Sequence, residues 1–154
     1  MRRKRIYVDT SVIGGCLDAK FGTASRKLLE QARAGEVVLV ISEITEIELA
    51  HASAEVRAVL DDLPAESIER IKVSNEAYRL AEQYIREGVI GPKMIADARH
   101  IAVATVNGVD TLVSWNFKHI LNFLRVRGYN AINVREGYQP LEIRTPKGVE
   151  NDAE

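Results

Sequence analysis

The chain has 154 residues, enough for one domain that buries its own core. Its hydrophobic fraction of 46% and charged fraction of 28% are ordinary for a soluble globular protein, and no apolar run approaches the ~18 residues of a membrane span. A formal net charge of −1 excludes nucleic-acid binding driven by overall charge, so any RNA contact depends on a local patch. The single cysteine, Cys16, excludes an internal disulfide and a cysteine zinc cluster, which suits a reducing cytoplasm.

The first half of the chain predicts alternating strands and helices. The basic residues 2–5 precede a short apolar run at 6–8, too short for a secretory signal and typical of a buried strand. A pair of glycines at 14–15 breaks the chain, and a helix follows at 23–34. The clearest strand is 37–41, after which Ser42 is the predicted N-cap of a helix through residue 49. A helix at 54–63 and an edge strand at 68–73 complete this half.

The second half repeats the alternation. An amphipathic helix is predicted at 75–87, an alanine-rich helix at 93–107, a strand at 111–113, a helix at 116–127 and a last strand at 131–134. This order predicts an α/β fold, in which a mostly parallel sheet carries helices on both faces. Residues 1–144 form a single predicted domain, and residues 145–154 are a polar, flexible tail. In such folds the ligand site lies at the carboxyl ends of the strands, where the strand order reverses.

Two acids follow the first two predicted strands. Asp9 comes directly after residues 6–8, where a carboxylate is costly unless it is paired or binds a cation; the alternative is an acid that caps its own turn. Glu48 lies in the helix after Ser42, beside apolar neighbours that turn it partly inward; the alternative is an exposed glutamate at the margin of the apolar stripe. Glu43 and Glu46 are simpler to interpret as solvated acids of the first helical turn.

The alanine-rich helix and the fourth strand add two more candidates. Asp97 shares a face with Ile101 and Ala104, and an acid on the apolar face of a helix needs either a function or a buried basic partner. Asn116 lies just past the strand at 111–113, as an oxygen ligand, a group that orients other ligands, or a helix cap. The four side chains should meet at one edge of the sheet, where their hard oxygen ligands suit Mg²⁺ or Mn²⁺.

Four segments carry a family resemblance. Residues 7–13 (YVDTSVI) resemble the opening of PIN-domain nucleases, and residues 42–49 (SEITEIEL) resemble their second motif, which selects Glu48 among the three glutamates. Residues 97–104 (DARHIAVA) and 112–117 (LVSWNF) resemble the third and fourth motifs. Each motif is weak alone, but four in order over residues 6 to about 134 are fairly specific. Within this family, the four segments resemble the VapC-type toxins of toxin–antitoxin pairs.

The resemblance implies a three-layer α/β/α sandwich and a Mg²⁺- or Mn²⁺-dependent endoribonuclease. It implies that metal-activated water cuts single-stranded RNA to leave 5′-phosphate and 3′-hydroxyl ends, with Asp9, Glu48 and Asp97 as metal ligands and Asn116 as a fourth catalytic residue. Family members often have an aspartate where this chain has Asn116, which puts a second metal in doubt and keeps open a non-cleaving domain that binds RNA or protein. Asp110 precedes its strand, so it should lie at the wrong end to replace that acid.

The resemblance also implies partners, which are an RNA substrate, a small antitoxin and a second copy of the chain. The apolar helical surface around residues 23–63 is the predicted docking area for either protein. Other residues have ordinary interpretations. His51, His100 and His119 lack metal spacing, Trp115 is more simply a core residue than a base-stacking platform, and Cys16 is a small buried residue. A basic rim for phosphates is possible from Lys93, Lys118, Arg125 and Arg127, although a solvated helix face explains them equally well.

Overall fold

The computed structural model describes residues 2–152, and its centre is one five-stranded parallel sheet. The strands lie in the order β3–β2–β1–β4–β5. Their bounds are β1 Lys4–Val8, β2 Val37–Ser42, β3 Ile68–Ile71, β4 Thr111–Val113 and β5 Ile143–Arg144. The chain builds outward from β1 to β3 and then returns to the other side of β1 with β4, so the strand order reverses between β1 and β4. That is the position where ligands bind in open parallel sheets.

Eight α-helices flank the sheet within the described residues. They are α1 Thr10–Gly15, α2 Gly22–Arg33, α3 Glu43–Ala50, α4 Ala54–Asp61, α5 Asn75–Arg86, α6 Ile95–Val106, α7 Phe123–Arg135 and α8 Pro146–Asp152. Two short 3₁₀ turns, Ala65–Ser67 and Pro92–Met94, precede β3 and α6. Between residues 2 and 152, no helix combines the length and the apolar character needed to cross a bilayer.

Two hydrophobic cores, one on each face of the sheet, hold the layers together. Strand side chains alternate between the faces. Tyr7, Val40 and Leu112 are buried against α5, α6 and α7, whereas Ile6 and Leu39 are buried on the opposite face with residues of α1, α2 and α4. The predicted three-layer α/β/α sandwich with a parallel sheet is therefore confirmed.

Local capping signals start the helix that follows β2. Ser42 Oγ accepts a hydrogen bond from Ile44 N at 3.2 Å, and Thr45 Oγ1 accepts one from Ser42 N at 3.4 Å, so α3 begins in a capping box. This confirms the predicted cap at Ser42. Because α3 starts directly after the last residue of β2, its second turn, with Glu48, stays close to the carboxyl edge of the sheet.

The structure corrects the end of the predicted element order. Residues 116–122 are not helical, and α7 begins at Phe123 because Asn122 Oδ1 caps it by accepting from Arg125 N at 3.1 Å. The strand predicted at 131–134 is wrong because these residues continue α7, whose Tyr129 and Ile132 are buried together at helical spacing. The last strand is instead β5.

Smaller differences concern short elements. The turn after Asp9 is the unpredicted helix α1, and the alanine-rich helix starts as a 3₁₀ turn before Ile95. The predicted tail after residue 144 includes the helix α8, and Val149 of this helix packs against the core on the α2 side of the sheet. That single apolar residue in a polar stretch gives too little sequence signal to predict the helix.

Candidate functional site

Asp9 links β1 to α1 and is almost fully buried, with 5% of its surface exposed. Its Oδ1 accepts hydrogen bonds from Ser11 Oγ at 2.6 Å and from Val12 N at 3.4 Å, and its Oδ2 accepts one from Ser114 Oγ at 2.6 Å. It therefore caps α1, which matches the alternative that an acid at this position caps its own turn. Burial raises the pKa of this carboxyl, and the charge of His100 and the three hydrogen bonds oppose that rise only in part. Asp9 is thus a buried acid whose partners are neutral donors.

Glu48 points from α3 toward the same edge of the sheet. Its Oε1 accepts hydrogen bonds from Thr10 Oγ1 at 2.8 Å and from His100 Nε2 at 2.6 Å, and 37% of the side chain is exposed. Burial acts to raise the pKa of Glu48, but the hydrogen bond and the charge of His100 outweigh it, so the net shift is downward. Glu48 therefore stays ionised while it is half-buried. It is not a simple exposed glutamate.

His100 connects Glu48 to a buried chain of polar groups. Its Nδ1 lies 2.6 Å from Tyr7 Oη, and Tyr7 Oη lies 2.8 Å from Ser42 Oγ. Tyr7 is fully buried and His100 is 2% exposed, so neither side chain exchanges partners with water. His100 is a core histidine, as expected, but it also holds Glu48. Tyr7 and Ser42 were missed as site residues, and the available signal was a tyrosine inside a buried strand, which needs a partner for its hydroxyl.

Asp97 and Asn116 form a second pair at this edge. Asn116 Nδ2 donates to Asp97 Oδ2 at 3.3 Å, while Asn116 Oδ1 accepts from His119 N at 3.0 Å. Asn116 therefore shapes the loop before α7 and orients Asp97. Burial raises the pKa of Asp97, the charges of His100 and His119 lower it, and the charges of Asp9 and Glu48 raise it further. No lysine or arginine within residues 2–152 forms an ion pair with Asp97, so the predicted alternative of a buried basic partner is wrong there.

Short links show that the four predicted residues share one edge. Ser114 Oγ donates to Asp9 and accepts from Asn116 N at 2.9 Å, and Asn116 in turn donates to Asp97. Thr10, the neighbour of Asp9, donates to Glu48. Four separate segments of the chain thus bring Asp9, Glu48, Asp97 and Asn116 to the β1–β4 switch point.

Trp115 lines one side of the site as part of the core. Its Nε1 donates to Ser25 Oγ at 2.8 Å, its ring stacks on Phe21 with 4.4 Å between the ring centroids, and the side chain packs against the core on the α2 side. A Cβ on Gly15 would lie 2.9 Å from Trp115 Nε1, so only glycine allows this approach. The interpretation of Trp115 as a core residue therefore holds.

Residues predicted to lie away from the site do so. Asp110 contacts Arg2 and accepts from Arg5 N at 2.8 Å at the amino end of the strands, so it does not replace an acid at the carboxyl edge. His51 is exposed at the end of α3. In the proposed basic rim, Arg125 Nη1 donates to the Val89 carbonyl at 2.9 Å, which occupies part of its donor capacity.

The donor set fits a hydrated divalent cation better than a closed metal cage. Between residues 2 and 152, no three histidine, cysteine or acidic side chains already surround a metal position. Carboxylates without lysine or arginine partners are nevertheless the hard oxygen ligands that Mg²⁺ prefers, and Mg²⁺ keeps several waters when one or two carboxylates bind it. Asp9, Glu48 and Asp97 therefore fit a cation held partly through water.

The fold and the carboxylate edge define an α/β protein with an acidic site at a topological switch point. The model of the PIN domain family matches residues 6–117, and the chain belongs to this family. No curated protein matches it by sequence.

Solved structures share the fold at low sequence identity. The VapBC2 complex of Rickettsia felis bound to a promoter DNA fragment gives a TM-score of 0.60 at 18% identity, over 92% of this chain and 98% of that one. The VapC20 toxin of Mycobacterium tuberculosis, which cleaves the sarcin–ricin loop, gives a TM-score of 0.54 at 17% identity, over 88% of this chain and 98% of that one. The FitAcB structure of Neisseria gonorrhoeae gives a TM-score of 0.54 at 19% identity, over 92% of this chain and 98% of that one.

Proposed function

We propose that this protein is a Mg²⁺- or Mn²⁺-dependent endoribonuclease that cuts single-stranded RNA. The observation that carries the proposal is the meeting of Asp9, Glu48 and Asp97 at one edge with no lysine or arginine paired to any of them within residues 2–152. Burial raises the pKa of Asp97 most, the charges of Asp9 and Glu48 raise it further, and a divalent cation would relieve that repulsion. Membership of the PIN domain family supports the same reaction class.

Each carboxylate has its own means of staying in place. Glu48 is held ionised by His100 and Thr10, Asp9 is fixed by two serine hydroxyls, and Asp97 is oriented by the Asn116 amide. A bound Mg²⁺ would supply activated water and would offset the charge that develops on the leaving oxygen. The protein's own contribution is positioning, because residues whose rotamers are fixed by hydrogen bonds lose little entropy when the substrate binds.

Asn116 favours a second candidate function. Its oxygen is occupied by His119 N, and it carries no charge, so it offers a cation less than an aspartate would. A chain with this residue is a weak nuclease, or a domain that binds RNA or a partner without cutting. The cleavage experiment below separates the two functions.

We also propose that the protein acts in the cytoplasm as the toxin of a toxin–antitoxin pair. The fold neighbours from Rickettsia felis and Neisseria gonorrhoeae support this role, since the first is a VapBC complex by name. The surface expected to receive the antitoxin includes a groove of ≈ 210 Å³ between α2 and α4, bordered by Leu17, Leu29 and Val59. Leu17 is 52% exposed, which leaves apolar area for a partner helix. Co-expression with the partner should abolish RNA cleavage.

The test is cleavage of an end-labelled single-stranded RNA pool in Mn²⁺ or Mg²⁺ by native protein, Glu48→Gln and Glu46→Gln. The two glutamates lie on the same helix, but Glu46 is exposed and pairs with Arg70, so Glu46→Gln is the matched control. We expect native protein and the control to cut and EDTA to stop them, while Glu48→Gln is inert and folded. Equal cleavage by both variants would refute the assignment of Glu48. RNA binding without cleavage by native protein would select the second candidate function.

A further inference from the structure

A groove between α3, α5 and α6 opens beside Glu48. It encloses ≈ 200 Å³. Its lining residues are Glu43, Ile44, Ile47, Glu48, Val73, Tyr78, Ala96 and Arg99. Glu48 belongs both to this groove and to the carboxylate edge, so the groove adjoins the carboxylate edge. Pockets for drug-sized ligands typically enclose about 300–1,000 Å³, so this groove has room for one small unit rather than a whole ligand.

The Arg99 guanidinium is the unusual group in the groove. Its Nε is buried without a hydrogen-bond partner, and no carboxylate among the described residues pairs with it. By contrast, Arg5, Arg70 and Arg135 all pair with acids. A buried donor without a partner is costly, and native structures keep such groups mainly where a ligand, ion or water accepts from them. Arg99 therefore has donor capacity left for an anion.

The position of Arg99 is set by an aromatic ring. Its guanidinium carbon lies 4.9 Å from the centre of the Tyr78 ring, so the cation is placed over a π face, and its buried Nε–H has no partner. A planar guanidinium presents donors in a fork that matches two oxygens of a phosphate. The geometry thus suits a phosphate better than a single carbonyl oxygen.

The remaining wall of the groove is apolar and partly open. Ile47 is 63% exposed and Tyr78 is 36% exposed, and Ile44 and Val73 line the same space. A flat apolar group can cover this surface, and a nucleobase has two such faces. Two acids, Glu43 and Glu48, also line the groove, and Glu48 accepts hydrogen bonds from His100 and Thr10.

We propose that this groove is a nucleotide subsite in which Arg99 binds a phosphate and the Ile44–Ile47 wall takes the attached base. The inference deepens the proposed function and rests on it, since the subsite would hold an RNA nucleotide next to the one being cut. It assigns Arg99 to the recognition of substrate and gives it no role in the chemical step.

The test is a titration of the protein with adenosine 5′-monophosphate, monitored by NMR of the Arg99 Nε–Hε signal and the Ile44 and Ile47 methyl groups. Adenosine and inorganic phosphate are titrated separately. We expect the monophosphate to move all three signals and to bind more tightly than either part alone. Arg99→Ala should lower this affinity about tenfold or more, since charge-assisted hydrogen bonds are lost. The affinity of Arg99→Lys for the monophosphate should lie between those of native protein and Arg99→Ala, because lysine keeps the charge and lacks the forked pair of donors.

Arg79→Ala is the matched control. Arg79 is an exposed neighbour of Tyr78 on α5 and lines a different surface, so its loss removes the same charge without touching the groove. We expect nucleotide binding by this variant to equal that of native protein. Equal affinities for native protein and Arg99→Ala would overturn the proposal. So would a change in oligomeric state on Arg99→Ala with no response to nucleotide, because a second copy would then occupy the groove.

RNA cleavage separates failure of the subsite from failure of the proposed function. In Mn²⁺, Arg99→Ala should raise KM several-fold and leave kcat close to native. Native cleavage with nucleotide binding unaffected by Arg99→Ala would remove the subsite alone. Nucleotide binding through Arg99 by a protein that cuts no RNA would remove the nuclease proposal and leave the binding site.

Discussion

Replacing Tyr7 with phenylalanine tests how the fold supports Glu48. The change removes one oxygen and keeps the ring, so it breaks the contacts of Tyr7 Oη with Ser42 Oγ at 2.8 Å and with His100 Nδ1 at 2.6 Å. Ser42 keeps its hydrogen bond from Ile44 N, but His100 Nδ1 is left buried without a partner. Such an orphaned group costs about 1–3 kcal/mol, which is the expected loss in the free energy of unfolding.

The same variant should also weaken the site. His100 loses the contact that fixes its ring, so Glu48 loses the orientation that its 2.6 Å contact with His100 Nε2 provides. Removing a group that orients a metal ligand typically costs about 10–100-fold in metal affinity or activity, and we expect a loss of that order in Mn²⁺ binding and RNA cleavage. Urea denaturation measures the stability, and calorimetric titration measures the Mn²⁺ affinity.

Tyr84→Phe is the matched control for both measurements. Tyr84 is also fully buried, and its hydroxyl donates to Asn133 on the same side of the sheet, away from the carboxylates. It should lose similar stability and keep native Mn²⁺ affinity. If Tyr7→Phe and Tyr84→Phe lose stability equally and bind Mn²⁺ equally well, the Tyr7–His100 contact has no role beyond packing and the reasoning is wrong.

Three further predictions concern the charge balance of the site. Asp97→Asn should stabilise the metal-free protein at neutral pH by about 0.5–2 kcal/mol, because burial disfavours the ionised carboxylate; urea denaturation checks this. The raised pKa values of Asp9 and Asp97 should make their contribution to stability complete below their ordinary value of 3.8, and that contribution is lost as pH rises through the folded-state values. Thermal unfolding measured across that pH range should show stability falling as pH rises, and Asp97→Asn should make this pH dependence less steep. Asn116→Asp should strengthen Mn²⁺ binding and lower metal-free stability, since it places a second negative charge beside Asp97.

Each of these predictions has an opposing result. A destabilised Asp97→Asn would mean that the carboxylate is favourably paired in the fold, and an unchanged pH slope in that variant would mean that other groups dominate the titration. Weaker Mn²⁺ binding by Asn116→Asp would show that the amide, through its donor to Asp97, is the better group at that position. Glu48 should show the opposite pH dependence, because its pKa is lowered in the fold. Ionised Glu48 stabilises the fold above its ordinary pKa of 4.5, this stabilisation is lost as pH falls, and Glu48→Gln should remove it.

Local signals made much of the fold predictable. The buried strand at residues 6–8 and the N-cap at Ser42 are predicted from short stretches of sequence, and the structure confirms both. The loop at 116–122 was harder to predict, because two asparagines set its ends through side-chain hydrogen bonds. Asn116 holds the turn after β4, and Asn122 caps the start of α7. β5 has two residues and a charged side chain, so only pairing with β4 identifies it as a strand.

The candidate site was also predictable only in part. Asp9 and Asp97 stood out because each acid interrupts an apolar pattern, and the order of strands predicted that they meet at one edge. The contact between Tyr7 and His100 was not predictable, since it joins residues 93 positions apart and depends on how α6 packs against β1. Their sequence neighbourhoods look like ordinary core.

Binding of Mn²⁺ to the native protein tests the central claim most directly. Electron paramagnetic resonance of free Mn²⁺ gives affinity and stoichiometry for native protein, Glu48→Gln and Glu46→Gln. The account predicts saturable binding by native protein and Glu46→Gln, about tenfold or greater weakening in Glu48→Gln, and complete competition by Mg²⁺. Equal Mn²⁺ binding by all three proteins, or none by the native protein, would contradict the claim that this edge of the sheet holds a divalent cation.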